Sequence, residues 1–273
     1  MEMAATTVPS EGLPREAALV RAALVRPLGA WGETWLARSD DGRCYWSRGA
    51  RAEAGCRPLV NEWLAALLAR AAGLPVPEPM LLWGADASAG EAFGQAAASG
   101  WSCGLQLPAE PTETAIWEHL PAAILPKTTN LEAGLGAWLL GAWTGRSRAA
   151  RAWFTVDPEQ GGGRYRLTLF DHGDCFGGER WQWREAVPAL TPWQRRALEQ
   201  ERSWEVVEAS LERFLRLSSA DLEAAAGRIP SQWLAADSDR FALEELLREL
   251  RRRLERLGSL AETSLRAEAR RRN

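Results

Sequence analysis

One carboxylate in this chain stands where chemistry could be done. Residues Tyr165–Phe170 read as a buried strand that runs straight into Asp171-His172-Gly173, so Asp171 is presented where the strand opens into a turn. A hard carboxylate oxygen on a rigid support is what a divalent cation bridging phosphates requires. The same three residues also make an ordinary turn. Just upstream a basic loop carries Arg148 and Arg151, which, like Arg48, read without further context as solvated surface arginines. The other familiar reactive groups are sparse. Cys44, Cys56, Cys103 and Cys175 show no CxxC spacing, and His119 and His172 are too few and too far apart for a zinc site. Reduced thiols in a cytosolic protein are expected.

The elements that must position Asp171 are legible in outline. With 273 residues, 46% hydrophobic and 25% charged, the chain suits one large soluble domain or two lobes sharing a cleft. A net charge of −3 gives no argument for nucleic acid, although Arg outnumbers the acids from Asp239 onward. Lys127 is the sole lysine among 33 basic residues, so an Arg where Lys would serve has a compositional as well as a chemical explanation. No opening segment pairs a basic start with an apolar core, and Pro75, Pro77 and Pro79 interrupt the most apolar region. Neither export nor a membrane span is expected, and a cytoplasmic location follows.

Residues 1–15 are small, polar and Pro/Gly-punctuated, which predicts a disordered lead-in. Residues 18–27, ALVRAALVRP, fit a buried strand or a short helix equally. Asp40-Asp41-Gly42 between Trp31–Arg38 and Arg43–Arg48 predicts a β-hairpin. Pro58 opens a helix that Gly73 and Pro75 close, with an apolar stripe of Val60, Trp63, Leu64, Leu67, Leu68 and Ala71 and with Asn61 and Glu62 near one edge. Strands follow at Met80–Trp83 and around Cys103–Leu107. Thr129 with Glu132 predicts a capping box ahead of a helix carrying Leu135, Trp138, Leu139 and Ala142. Strands at 152–156 and 165–170 come next. Thr191 with Gln194 and Ser218 with Asp221 open further helices. A last helix begins near Asp239, its stripe running Leu243, Leu246, Leu247, Leu250, Leu254 and Leu257.

These pieces in this order, and their wording, resemble the HipA-like kinase family. The matching phrases are RPLGAWG at 26–32, WLARSDDGRCYWSR at 35–48, LVNEWLAALLARAAGLPVPEP at 59–79, WEHLPAAIL at 117–125 with Asn130-Leu131 beyond it, LLGAWTG at 139–145, and LTLFDHGDCFGG at 167–178 with RWQW at 180–183. The resemblance implies an α+β, two-lobed protein-kinase-like fold: residues 16–110 as a β-rich N-lobe with the helix 58–72, and 111–273 as a mainly helical C-lobe. It puts the family's phosphate loop on Gly29-Ala30-Trp31-Gly32, its nucleotide lysine on Arg48, the acidic partner of that lysine on Glu62, and its metal-binding aspartate on Asp171. The family's catalytic aspartate falls on Arg148, with Ser147 as the alternative, and its second metal-binding position on Arg151 or Ala152.

Between Glu132 and Val156 no Asp, Glu, Asn or Gln follows the first residue. An Arg at the base position stays charged at any relevant pH and cannot accept a proton. Phosphoryl transfer depends on positioning and charge stabilisation by all parts together. The resemblance therefore implies a pseudokinase or a weak nucleotide-binding regulatory module with a protein partner, binding ATP and Mg2+ feebly. One rival is an active Ser/Thr or small-molecule kinase using Glu132, Asp157, Glu159 or Asp174 as a substitute base. The other is a binding scaffold without nucleotide, suggested by 15 Trp.

Overall fold

A computed structural model describes residues 19–27, 34–50, 55–83, 101–108, 120–146, 148–157, 159–160, 163–183, 190–201 and 204–270. The lead-in 1–15, the Gly29–Gly32 loop, Ser147 and His119 lie outside them. Five strands come first: β1 (Leu19–Pro27), β2 (Thr34–Ser39), β3 (Cys44–Arg48), β4 (Pro79–Trp83) and β5 (Trp101–Gln106), with α1 (Arg57–Ala71) between β3 and β4. Residues 19–27, ambiguous in sequence, form a strand because β2 and β4 pair with its two edges.

The strands close into a barrel in the order β1-β2-β3-β5-β4, sealed by parallel pairing of β1 with β4. A hairpin-based sheet was expected; its closure was not. The interior explains it. Ala22, Ala37, Tyr45 and Leu82 form a small cluster of their own, and a Cβ on Gly104 would stand 2.5 Å from Leu82 Cδ1. Ser47 and Ser102, also buried, bond to each other at 2.9 Å. Side chains this small let five strands curl round a single Tyr and Leu. The alternate residues Leu36, Trp46, Leu81, Cys103 and Leu105 face outward into the main core with α1.

Helix α1 packs on β4 and β5 and on α5 (Ser219–Gly227). Residues Pro58–Ala69 are buried all round, whereas Ala71 is exposed. The sequence stripe thus corresponds to a helix enclosed on every side, and Asn61 and Glu62 lie at no edge. After a short 3-10 turn at Leu125–Lys127 comes α2 (Ala133–Thr144), also wholly buried. The Thr129–Glu132 capping box does not form: no side chain caps α2, and Thr129 Oγ1 donates to Asp157 Oδ2 at 2.7 Å. Pairing Asp157, which is fully buried, outweighs a cap at a helix start that already has helical backbone.

Strands β6 (Arg151–Val156) and β7 (Tyr165–Phe170) make an antiparallel ribbon. The outer edge of β7 is closed by Asn130, whose Oδ1 accepts from Leu167 N at 2.8 Å and whose Nδ2 donates to Leu167 O at 2.9 Å, and by Leu169 N donating to Pro75 O. The remaining helices are α3 (Pro192–Glu201), α4 (Trp204–Leu215), α5 and the long α6 (Asp237–Arg270). The Thr191–Gln194 and Ser218–Asp221 caps both form. Helix α6 packs on α2, α4 and α5, burying Leu243, Leu246, Leu250, Leu254 and Leu257, and its buried face continues to Ala261 and Leu265. Among the described residues no helix is long and apolar enough to cross a membrane.

Candidate functional site

Asp171 lies immediately after β7 with φ 60°, a left-handed conformation uncommon for non-glycine residues though less so for Asp, and its surroundings hold it there by charge. Those surroundings are arginines. Arg48 Nη2, from the end of β3, pairs with Asp171 Oδ1, and Arg151 Nη1, from the start of β6, donates to Oδ2 at 2.8 Å. Arg146, just past α2, donates from Nη2 to the Asp171 carbonyl at 2.6 Å. Burial pushes the Asp171 carboxyl upward, but Arg48, Arg146 and Arg151 outweigh it and hold the group down at about 2.

Arg48 is itself enclosed. Its side chain is 10% exposed, and its Nε stands 3.5 Å from Glu62 Oε2. The guanidinium lies over the Trp46 ring at 5.2 Å. A Cβ on Gly173 would come within 2.8 Å of Arg48 Cζ, so the glycine of the Asp-x-Gly turn gives the guanidinium its room. Arg151 lies over Phe170 at 4.8 Å. Neither is a plain surface arginine.

Helix α1 fixes the turn from below. Glu62, fully buried, accepts from His172 N at 2.7 Å and pairs with His172 Nδ1 at 3.0 Å. Asn61 Nδ2 donates to the carbonyls of Gly173 and Gly178, and its Oδ1 accepts from Trp181 Nε1 at 2.7 Å. Two consecutive residues of one helix therefore hold both ends of the loop 172–178. Asn61 and Trp181 carry no sequence signal for this beyond the NE pair itself and the phrase RWQW.

Arg148 occupies a different place from the two arginines on Asp171. It is exposed, and its backbone N–H donates to Asp174 Oδ2 at 2.9 Å. Asp174 Oδ1 is 2.9 Å from Arg146 Nε. Burial lowers the Arg146 pKa, but Asp174 and neighbouring anions raise it further, so it stays charged. Beside these groups lies a cleft of about 340 Å3, lined by Arg48, Arg148, Asp171, Asp174, Glu179 and Arg180 among others. The structure thus gathers Arg48, Glu62, Arg148 and Asp171 at one place and adds Arg146, Arg151, Asn61 and Asp174. Of the two candidates for the second metal position, Arg151 faces Asp171, whereas Ala152 is 2% exposed in the core.

This donor set does not suit a resident Mg2+. Both carboxylate oxygens of Asp171 are taken by guanidinium groups, and a cation there would have to displace at least one of them. Asp174 is held by Arg146 and the Arg148 amide. Among the described residues no group of three His, Cys, Asp or Glu side chains could hold a metal ion. Of the substitute bases, Asp157 is buried against Thr129 and Arg166, and Glu159 pairs with Arg166; only Asp174 adjoins the cleft.

Among solved structures, the crystal structure of the Helicobacter pylori proinflammatory kinase CtkA is similar to this chain, with a TM-score of 0.52 at 10% sequence identity over 91% of this chain and 97% of that one. No protein-family model and no curated protein matches. A likeness at that identity concerns the fold, and the chain has a mixed α+β, kinase-like fold.

Proposed function

We propose that this kinase-fold chain is a HipA-like pseudokinase, a regulatory or protein-binding module whose cleft has exchanged metal-dependent phosphoryl transfer for a fixed charge network. The observation that carries this reading is the double engagement of Asp171: Arg48 holds one oxygen and Arg151 the other. Two guanidinium groups supply there the positive charge that a divalent cation would bring, and they occupy the carboxylate oxygens that such a cation would need. Arg148 lies at the cleft where the family resemblance puts a proton acceptor, and a guanidinium cannot be one. Nucleotide, if bound, is bound weakly and without dependence on Mg2+.

The test is transfer from γ-labelled ATP by wild type and Asp171→Ala side by side, together with calorimetric titration of ATP with and without Mg2+. Background incorporation by both proteins, and a weak binding isotherm unchanged by Mg2+, are expected. Robust incorporation by wild type that disappears in Asp171→Ala, or tight binding abolished by a chelator, would overturn the reading. Arg148→Asp alone restores nothing, since positioning and metal support act together. The combination Arg48→Lys, Arg148→Asp, Arg151→Asn removes both guanidinium groups from Asp171 and is the variant in which transfer would first be detected.

A further inference from the structure

The carbonyls of Gly141 to Thr144, the last turn of α2, all accept hydrogen bonds, and two of them accept from one side chain far along the chain. Gly145, with φ 63°, ends α2 and sends its N–H to Gly141 O, as does Arg146. Phe176 N donates to Thr144 O at 2.7 Å. The carbonyls of Ala142 and Trp143 accept from Arg253, through Nη2 and Nε, each at 2.7 Å. Arg253 lies midway along α6 and is 3% exposed. Trp143 returns the contact, its Nε1 donating to Leu250 O at 2.9 Å. The Arg253 guanidinium also lies over Trp183 at 5.1 Å, and Trp183 meets Phe176 edge-on at 6.2 Å.

We propose that Arg253 is a positioning residue for the Asp171 site: through it the C-terminal helix sets the end of α2, and so the point from which Arg146 reaches Asp171 and Asp174. Two connections carry the effect. One passes through the backbone, from the carbonyls of 142 and 143 to Gly145 and Arg146. The other passes through Trp183 and Phe176 to the loop that Asn61 holds. A cation at a helix C-terminus is favourable in itself, but a buried guanidinium joined to two successive carbonyls also fixes the direction in which the chain leaves the helix. Anything that shifts α6 along its axis would loosen Arg146 and with it the arginine enclosure of Asp171. The proposal rests on reading the Asp171 cluster as the functional centre, yet it is tested without any assay of phosphate transfer.

The experiment compares full-length Arg253→Met, Arg253→Lys and Leu250→Ala with wild type by amide hydrogen exchange and by the NMR signal of the Arg146 Nε–H. Arg253→Met keeps the bulk of the side chain and removes its donors. It is expected to speed exchange at Arg146 and Phe176 by about tenfold relative to amides in β3 and β5, and to shift or broaden the Arg146 Nε–H signal. Arg253→Lys, with one point of contact, should fall between. Leu250→Ala loosens the same helix without touching these hydrogen bonds, so it should lower Tm while leaving the Arg146 signal in place. If Arg253→Met lowers Tm as Leu250→Ala does but leaves both local readouts at wild-type values, Arg253 only stabilises the helix packing and the proposal is wrong. Should Arg253→Met not fold, a wild-type Arg146 signal in Arg253→Lys would overturn it equally. Phosphate transfer by wild type would sink the pseudokinase reading and leave this result untouched.

Discussion

Asp171 shows how a single carboxylate can be assigned from its neighbours. Its ordinary pKa of 3.8 falls to about 2 in the folded chain, so the ionised form is favoured by folding. The contribution to stability is complete above about pH 5 and is lost as the pH falls towards 2. A shift of this size on a side chain only 15% exposed corresponds to about 2 kcal/mol. Asp171→Asn should therefore lose about 2 kcal/mol in urea denaturation at neutral pH, and its stability should fall less steeply than wild type between about pH 5 and pH 2. Equal slopes in the two proteins would mean that the arginines do not engage the carboxylate. Arg151, 42% exposed, is screened by solvent, and Arg151→Ala should cost less than about 1 kcal/mol. The sequence pointed to Asp171, Arg48 and Glu62, but nothing in residue types distinguished Arg151 from Arg148, which differ only in where the backbone aims them. Arg146 carried no signal at all, because a buried arginine and a surface arginine look alike until their partners are known.

At the level of elements, local patterns held wherever local bonding was decisive. Ser218–Asp221 and Thr191–Gln194 cap their helices as the spacing predicts. Thr129 and Glu132 share that spacing, and there a long-range partner prevailed. The difference can be measured. Glu132→Ala should alter stability by less than about 0.5 kcal/mol, since Glu132 caps nothing. Thr129→Val should cost about 2 kcal/mol by removing a donor from the fully buried Asp157. A larger loss for Glu132→Ala than for Thr129→Val would restore the capping box. Ser218→Ala, in a box that does form, should cost about 1 kcal/mol. Helix α6 extends the same lesson: its leucine stripe was plain in the sequence, but Arg253 lies buried within it and reads, by residue type, as one more solvated charge.

The whole molecule is joined across the site by aromatic packing. Phe170, fully buried, stacks on Trp153 at 4.0 Å between ring centroids and meets Trp46 edge-on at 5.8 Å, so β3 of the barrel and the β6–β7 ribbon share one cluster directly beside Asp171. Phe170→Ala should cost about 4 kcal/mol and weaken the Arg48–Asp171 pair with it; additivity of Phe170→Ala and Asp171→Asn in a double-mutant cycle would show that packing and charge network are independent. The sequence by itself determined the α+β composition, most of the order of strands and helices beyond residue 27, the hairpin at Asp40-Gly42 and the strand that delivers Asp171, because periodicity, glycine and proline act over a few residues. It also determined that the stretch from 133 to 156 offers no carboxylate or side-chain amide to a metal. Closure of the barrel was decided only by tertiary structure, through small interior side chains from β1, β2, β3 and β5 that leave room for Tyr45 and Leu82. So was the enclosure of Asp171, because Arg48, Arg146 and Arg151 come from three separate elements and converge only once barrel, α2 and ribbon are packed together.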